Sequence, residues 1–131
     1  MKNEASVPDF KFPKSEKLRL KNLIESLFKE GKSFFIYPFK VLHLLAPVEH
    51  SGNQVLITVS SKKFKKATDR NKIKRRIREA YRLNKYDLTK KLNNNCHLLI
   101  GYLYVGDEIL DFGVIETKLK KTLERLYSEY Q

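Results

Sequence analysis

Residues 62–82 hold eleven basic side chains against two acids, Asp69 and Glu79, so this short stretch carries +9 of the chain's formal net charge of +12. Charge of one sign at this density suits one chemistry, the neutralisation of a polyanion along a single face. On a helix advancing about 100° per residue, Ile73, Ile77, Ala80 and Tyr81 gather on one side as a core-facing stripe. Arg70, Asn71, Lys74, Arg75, Arg78 and Arg82 fill a second, contiguous sector, with Lys72 and Arg76 on the far flank. Lys62, Lys63, Lys65 and Lys66 lie in the loop that leads into this helix.

A charge run is ordinarily a solvated face, and two energetic features argue against that here. Solvated helix faces mix signs because Glu–Lys pairs four apart are stabilising. Arg70, Lys74, Arg78 and Arg82 instead make three like-charge steps, each costing about 0.2–0.5 kcal/mol. Arg70 and Lys72 also crowd the positive end of the helix dipole, at about 0.3–1 kcal/mol each. Local rules broken without local compensation mark a functional surface.

The polyanion is best read as RNA. A membrane-surface helix would need Ile73, Ile77 and Tyr81 for the lipid, but the domain core requires them. A helix-turn-helix needs a helix just before the recognition helix, and here a strand and a Lys-rich loop precede it. Catalytic machinery is not apparent. Asp69 and Glu79 stand about 80° apart on the helix, and each reads as a cap or a salt-bridge partner. His43, His50 and His97 are scattered, and with the single Cys96 they give no zinc spacing. A nuclease acting without RNA would need clustered carboxylates or paired histidines.

The elements that must position these residues follow from periodicity. Pro8 and Pro13 make residues 1–13 an arm, in which Phe10 and Phe12 alternate with polar residues. Ser15 reads as the N-cap of a helix over 16–30 ended by Gly31, with Leu20, Leu23, Ile24, Leu27 and Phe28 at helical spacing. Strands are expected at 39–45 and 54–60, joined by a turn at His50–Asn53. The basic helix should start near Thr68 or Asp69 and run to about Leu83, with a further short turn at 87–92. Residues 96–105 form an apolar strand buried on both faces, and a last helix from Asp111 repeats Ile115, Leu119, Leu123 and Leu126. This pattern, α-β-β-α-β-α, is a single α+β domain over 14–131, with helices layered against one sheet.

The 131 residues are 41% apolar and 32% charged, as in a folded soluble chain. No apolar run approaches the ~20 residues of a membrane span. The polar start, carrying both charge signs, is unlike an export signal, so the expected compartment is the cytoplasm.

The run Lys62-Lys63-Phe64-Lys65-Lys66-Ala67-Thr68-Asp69-Arg70-Asn71-Lys72-Ile73-Lys74-Arg75-Arg76-Ile77-Arg78 resembles the signature of the bacterial ribonuclease P protein subunit: a Lys-rich loop, then Ala, then Arg-Asn-Arg-x-Lys-Arg-x-x-Arg. The likeness extends over roughly residues 12–128. Lys72 departs from the usual Arg, keeping charge but losing a planar fork, and Ile24 stands where some members carry an aromatic.

The resemblance implies an α-β-β-β-α-β-α sandwich with a left-handed β-α-β crossover. It also implies a partnership with a catalytic RNA that removes the 5′ leader of precursor tRNA with the help of Mg²⁺. On that footing Lys62, Lys63, Lys65, Lys66, Arg70, Asn71, Lys72, Lys74, Arg75, Arg78 and Arg82 would meet RNA. Ile24, Phe28, Ser33, Phe39 and Leu42 would line a cleft for the single-stranded leader. No residue of the chain would be catalytic, none would bind metal directly with certainty, and no membrane or obligate protein partner is implied. The competing expectation, which composition alone would favour, is a ribosomal-type structural RNA-binding protein.

Overall fold

The computed structural model describes residues 12–47, 52–91 and 97–130, which places Phe10, His50, Ser51 and Cys96, with most of the expected arm, outside the described residues. A short 3-10 turn at Lys14–Glu16 precedes α1 (Lys21–Glu30), β1 (Lys32–Ile36), β2 (Phe39–Leu45), β3 (Gln54–Val59), α2 (Ala67–Lys91), β4 (Leu98–Tyr104) and α3 (Phe112–Tyr130). The order α-β-β-β-α-β-α is the one implied by the resemblance. Periodicity had omitted β1, although Phe34, Phe35 and Ile36 between Gly31 and Pro38 form an apolar run with turn residues at both ends.

The strands form one sheet in the order β1-β2-β4-β3. β2 and β3, consecutive in sequence, are therefore not neighbours. β4 lies between them, antiparallel to β2 and parallel to β3, with α2 making the crossover between the parallel pair. The hairpin is instead β1–β2, turned at Tyr37-Pro38. Six of the seven residues of β4 are buried, as expected for a central strand covered on both faces.

Strand alternation divides the core in two. Phe34, Phe39, Val41, Val55, Val59, Leu98, Ile100, Tyr102 and Tyr104 face the layer formed by α2 and α3. Leu42 and Leu99 face the other way, against Leu18 and the α1 residues Leu23 and Leu27. Two glycines let α1 approach. A Cβ on Gly101 would sit 3.2 Å from Leu27 Cδ2, beneath the helix. Gly31 ends α1 with φ −69°, so it is not in the left-handed cap conformation; a Cβ there would collide with the carbonyl oxygen of Leu27 and lie 3.1 Å from that of His43.

The helix boundaries also depart from expectation. Ser15 does not cap α1. It sits in the 3-10 turn, its carbonyl accepting from Gln54 Nε2 at 3.2 Å, while Leu20 precedes the helix and accepts the first amides through its carbonyl. α2 begins at Ala67, with Thr68 and Asp69 inside its first turn, and runs unbroken to Lys91 because Leu88, 1% exposed, continues the buried stripe. Phe12 belongs to the α2 side: its ring lies 5.5 Å from that of Tyr81, away from the α1 face.

Candidate nucleic-acid interface

The stripe predicted on α2 is buried as expected: Ile73, Ile77, Ala80 and Tyr81 are at most 1% exposed. Their burial fixes the opposite sector at the surface. The basic loop is held in one shape before it reaches the helix. Ser60 Oγ accepts from the amides of Lys62 and Lys63, Ser60 O accepts from the amide of Phe64, and the Phe64 ring is buried 6.1 Å from Tyr104.

Three of the predicted cations turn out to be builders of this surface. Arg70 bends back so that Nη1 donates to the carbonyls of Phe64 (2.7 Å) and Lys65 (3.0 Å), which removes it from the expected like-charge stack. Lys63 Nζ donates to Val105 O at 2.7 Å and pairs with Asp107 at 3.1 Å, tying the loop to the end of β4. Arg82 pairs with Glu79 at 2.6 Å one helical turn earlier, and its hydrogen bonding holds the Glu79 carboxyl below the usual range. The costly stack of four is thereby relieved at both ends. Arg76, on the far flank, donates to Leu110 O at 2.6 Å and joins α2 to the segment before α3.

The others are left facing outward. Lys62, Lys65, Lys66, Asn71, Lys72, Arg75 and Arg78 are exposed and Lys74 half-buried, and none of these side chains has a hydrogen-bond or ion-pair partner among the described residues. Amide alignment at the start of α2 adds positive potential beside them. Such a surface can hold phosphates; among the described residues no cluster of His, Cys, Asp and Glu could hold a metal ion. Of the histidines, His43 is buried with Nδ1 2.6 Å from the Tyr130 hydroxyl, and His97 accepts from the amide of Gly52 at 3.0 Å. Both are structural contacts.

The second predicted group lies on the α1 face, with one correction. Ile24 is half-buried and Phe28 is 50% exposed on the next turn, so both sit at the helix margin. Ser33 and Leu42 are register partners on that face, Ser33 exposed and Leu42 buried. Phe39 does not join them: it is 0% exposed and packs on Tyr102 and Tyr104 beneath α2 and α3, because its position in β2 has the opposite parity to Leu42. The aromatic on the α1 face is Phe35, 58% exposed, opposite Lys40 in the hairpin and 6.4 Å from the exposed ring of Tyr37. Missing β1 concealed it. Lys40, Leu103 and Thr58 are register partners across β2, β4 and β3, which puts this margin at the same end of the sheet as the start of the basic loop, with β4 between them.

Similarity to known proteins follows the same outline. The family model for Ribonuclease P matches residues 12–127. The ribonuclease P protein component of Porphyromonas gingivalis is 40% identical over 92% of this chain and 90% of its own length. That of Thermotoga maritima is 33% identical over 88% and 95%. The solved Thermotoga maritima protein superposes with a TM-score of 0.64, covering 84% of this chain and 96% of its own at 32% identity. The Staphylococcus aureus protein, at 22% identity and a TM-score of 0.64, shares the fold. Among the described residues no helix is long and apolar enough to cross a membrane. The chain belongs to the ribonuclease P protein family.

Proposed function

We propose that this chain is the protein subunit that binds the ribonuclease P RNA through α2 and its basic loop. It holds the 5′ leader of precursor tRNA on the α1 face and so assists endonucleolytic removal of that leader. The observation that carries this reading is the set of exposed, unpartnered side chains within 62–78 together with two exposed aromatics on the α1 side, Phe28 and Phe35. Unpaired cations on a shaped loop and helix release counterions from RNA phosphates on binding. Exposed rings offer stacking platforms to unpaired bases of any sequence. Ser33 and Lys40 add a hydroxyl and a charge at the same margin.

In this reading the bond-breaking chemistry resides in the RNA, with Mg²⁺ held by RNA and substrate phosphates. The donor set of the described residues does not fit direct metal binding. Asn71, Arg75 and Arg78 would brace phosphates near the cleavage point, so that fewer free cations are needed to fold and dock the RNA.

Cleavage of a precursor tRNA by its cognate ribonuclease P RNA at low Mg²⁺, with and without this chain, tests the proposal. Stimulation that grows as the leader lengthens is expected. Tight RNA binding without stimulation would reduce the chain to a structural RNA-binding protein.

A further inference from the structure

Outside α2 and its loop, one other stretch among the described residues concentrates unpaired positive charge. Lys14, Lys17 and Arg19 are exposed, and Lys21 follows at the start of α1; none of the four has an anionic partner among the described residues. The acid within this run, Glu16, is turned inward and pairs with Lys85, whose side chain is only 7% exposed, at 2.5 Å. Other surfaces of the same molecule behave differently. Lys118, Lys120, Lys121 and Arg125 on α3 alternate with Glu116, Glu124 and Glu129, and Lys29 on α1 lies between Glu25 and Glu30.

The segment is also rigidly placed. Lys17 makes a parallel bridge to Val55, the amide of Leu18 donates to Val55 O at 2.9 Å, and Gln54 reaches Ser15, so residues 15–18 run along the outer edge of β3. Leu18, 3% exposed, points into the α1 cluster. In extended backbone its neighbours Lys17 and Arg19 then project to the opposite side, where α2 lies. The position of Lys17 bears this out: its ammonium lies 5.8 Å from the centre of the Phe12 ring, and that of Lys85, from α2, lies 5.9 Å from the same ring.

From this juxtaposition we propose that Lys14, Lys17 and Arg19 form a second phosphate-binding strip that extends the α2 surface across the edge of β3 and is occupied by the ribonuclease P RNA. The inference rests on the reading of α2 as that RNA's contact. Lys17 and Arg19 face the α2 side, Lys14 precedes them in the 3-10 turn, and the backbone of the strip is anchored before any ligand arrives, so few degrees of freedom are lost when phosphates dock.

The test measures affinity of the full chain for ribonuclease P RNA across a salt series, and for precursor tRNA with short and long leaders in the reconstituted holoenzyme. Lys14→Ala/Lys17→Ala/Arg19→Ala should weaken RNA binding about 10- to 100-fold near physiological salt and lower the salt slope by about two to three. Lys14→Ala/Arg19→Ala, which spares the Phe12 contact, should lose an intermediate amount with an unchanged thermal midpoint. Lys120→Ala/Lys121→Ala should do nothing. Arg75→Ala/Arg78→Ala gauges the α2 reading separately. If it alone loses affinity, the strip is refuted; if neither variant does, the α2 reading falls as well. A loss confined to precursor tRNA and scaling with leader length would assign the strip to the leader and overturn the proposal.

Discussion

α2 and α3 lie side by side on one face of the sheet and bury matching stripes: Ile73, Ile77, Ala80 and Leu88 from one, Ile115, Leu119, Leu123 and Leu126 from the other. Their outer sides have little in common. α3 alternates acids and bases, as a helix selected for solubility and folding does. α2 presents Asn71, Lys72, Lys74, Arg75 and Arg78 with no acid among them, and the nearest acid on the following turn, Glu79, is occupied by Arg82. Burial thus says which side of each helix is structural, and charge segregation is what sets the two outer faces apart.

The comparison predicts equal costs inside. Ile77 and Leu119 are both 0% exposed, so truncating either to Ala should destabilise the fold by about 2–5 kcal/mol. Denaturant midpoints would check this, and a near-neutral result at Ile77 would mean that α2 is held by its ends rather than its stripe. Across the sheet the contrast sharpens. Phe39→Ala should cost about 3–5 kcal/mol of stability, whereas Phe35→Ala should leave stability nearly unchanged and weaken long-leader substrates by about 1–3 kcal/mol. Comparing KM for long and short leaders separates the two; a loss of stability at Phe35 with no leader effect would remove the aromatic platform from the α1 face.

A smaller and more pointed effect concerns two arginines. Arg125 on α3 lies 4.7 Å above the Phe34 ring, and its removal should not touch RNA affinity. Arg70 on α2 clamps two loop carbonyls, so Arg70→Ala should lower RNA affinity by more than one phosphate contact is worth and speed amide exchange across 62–66. Lysine at this position keeps the charge but not the planar fork. Failure of Arg70→Lys to restore slow exchange supports a positioning role, while full recovery of binding and exchange would make Arg70 an ordinary phosphate ligand.

Much of this was legible in the sequence. Long periodic stretches declared themselves: the stripe of α2, the doubly buried β4 and the repeat of α3 all fall where periodicity put them. What failed was short range or long range. β1 has only five residues, and without it the parity that separates Phe35 from Phe39 had no anchor. Strand order was hidden because β4, forty residues downstream, inserts between β2 and β3. The family resemblance implied the extra strand where periodicity did not. Within the basic run, residue types separated the buried stripe from the exposed sector. Helix spacing allows the Glu79–Arg82 pair, but no spacing rule could show that Arg70 and Lys63 are spent on carbonyls and on Asp107, since those partners are set by the tertiary path of the loop and of the segment after β4.

The two helices should differ last in their response to acid. α3 ends against a titratable group: Tyr130 hydrogen-bonds buried His43, whose pKa is lowered from the ordinary 6.5 chiefly by burial, with Lys32 and Arg125 acting in the same direction and Glu129 opposing. A histidine with a lowered folded pKa stays neutral in the fold while the unfolded chain takes up a proton. Its contribution is therefore complete above about pH 6.5 and is lost as the pH falls towards its folded value. The thermal midpoint should accordingly drop more steeply between about pH 7.5 and 5.5 in the native chain than in His43→Gln; parallel slopes would rule out the linkage. α2 carries no histidine. RNA affinity measured over the same range, at temperatures where the chain stays folded, should then be flat. A fall in affinity that tracks the midpoint would show that the end of α3 and the face of α2 are coupled through the sheet they share.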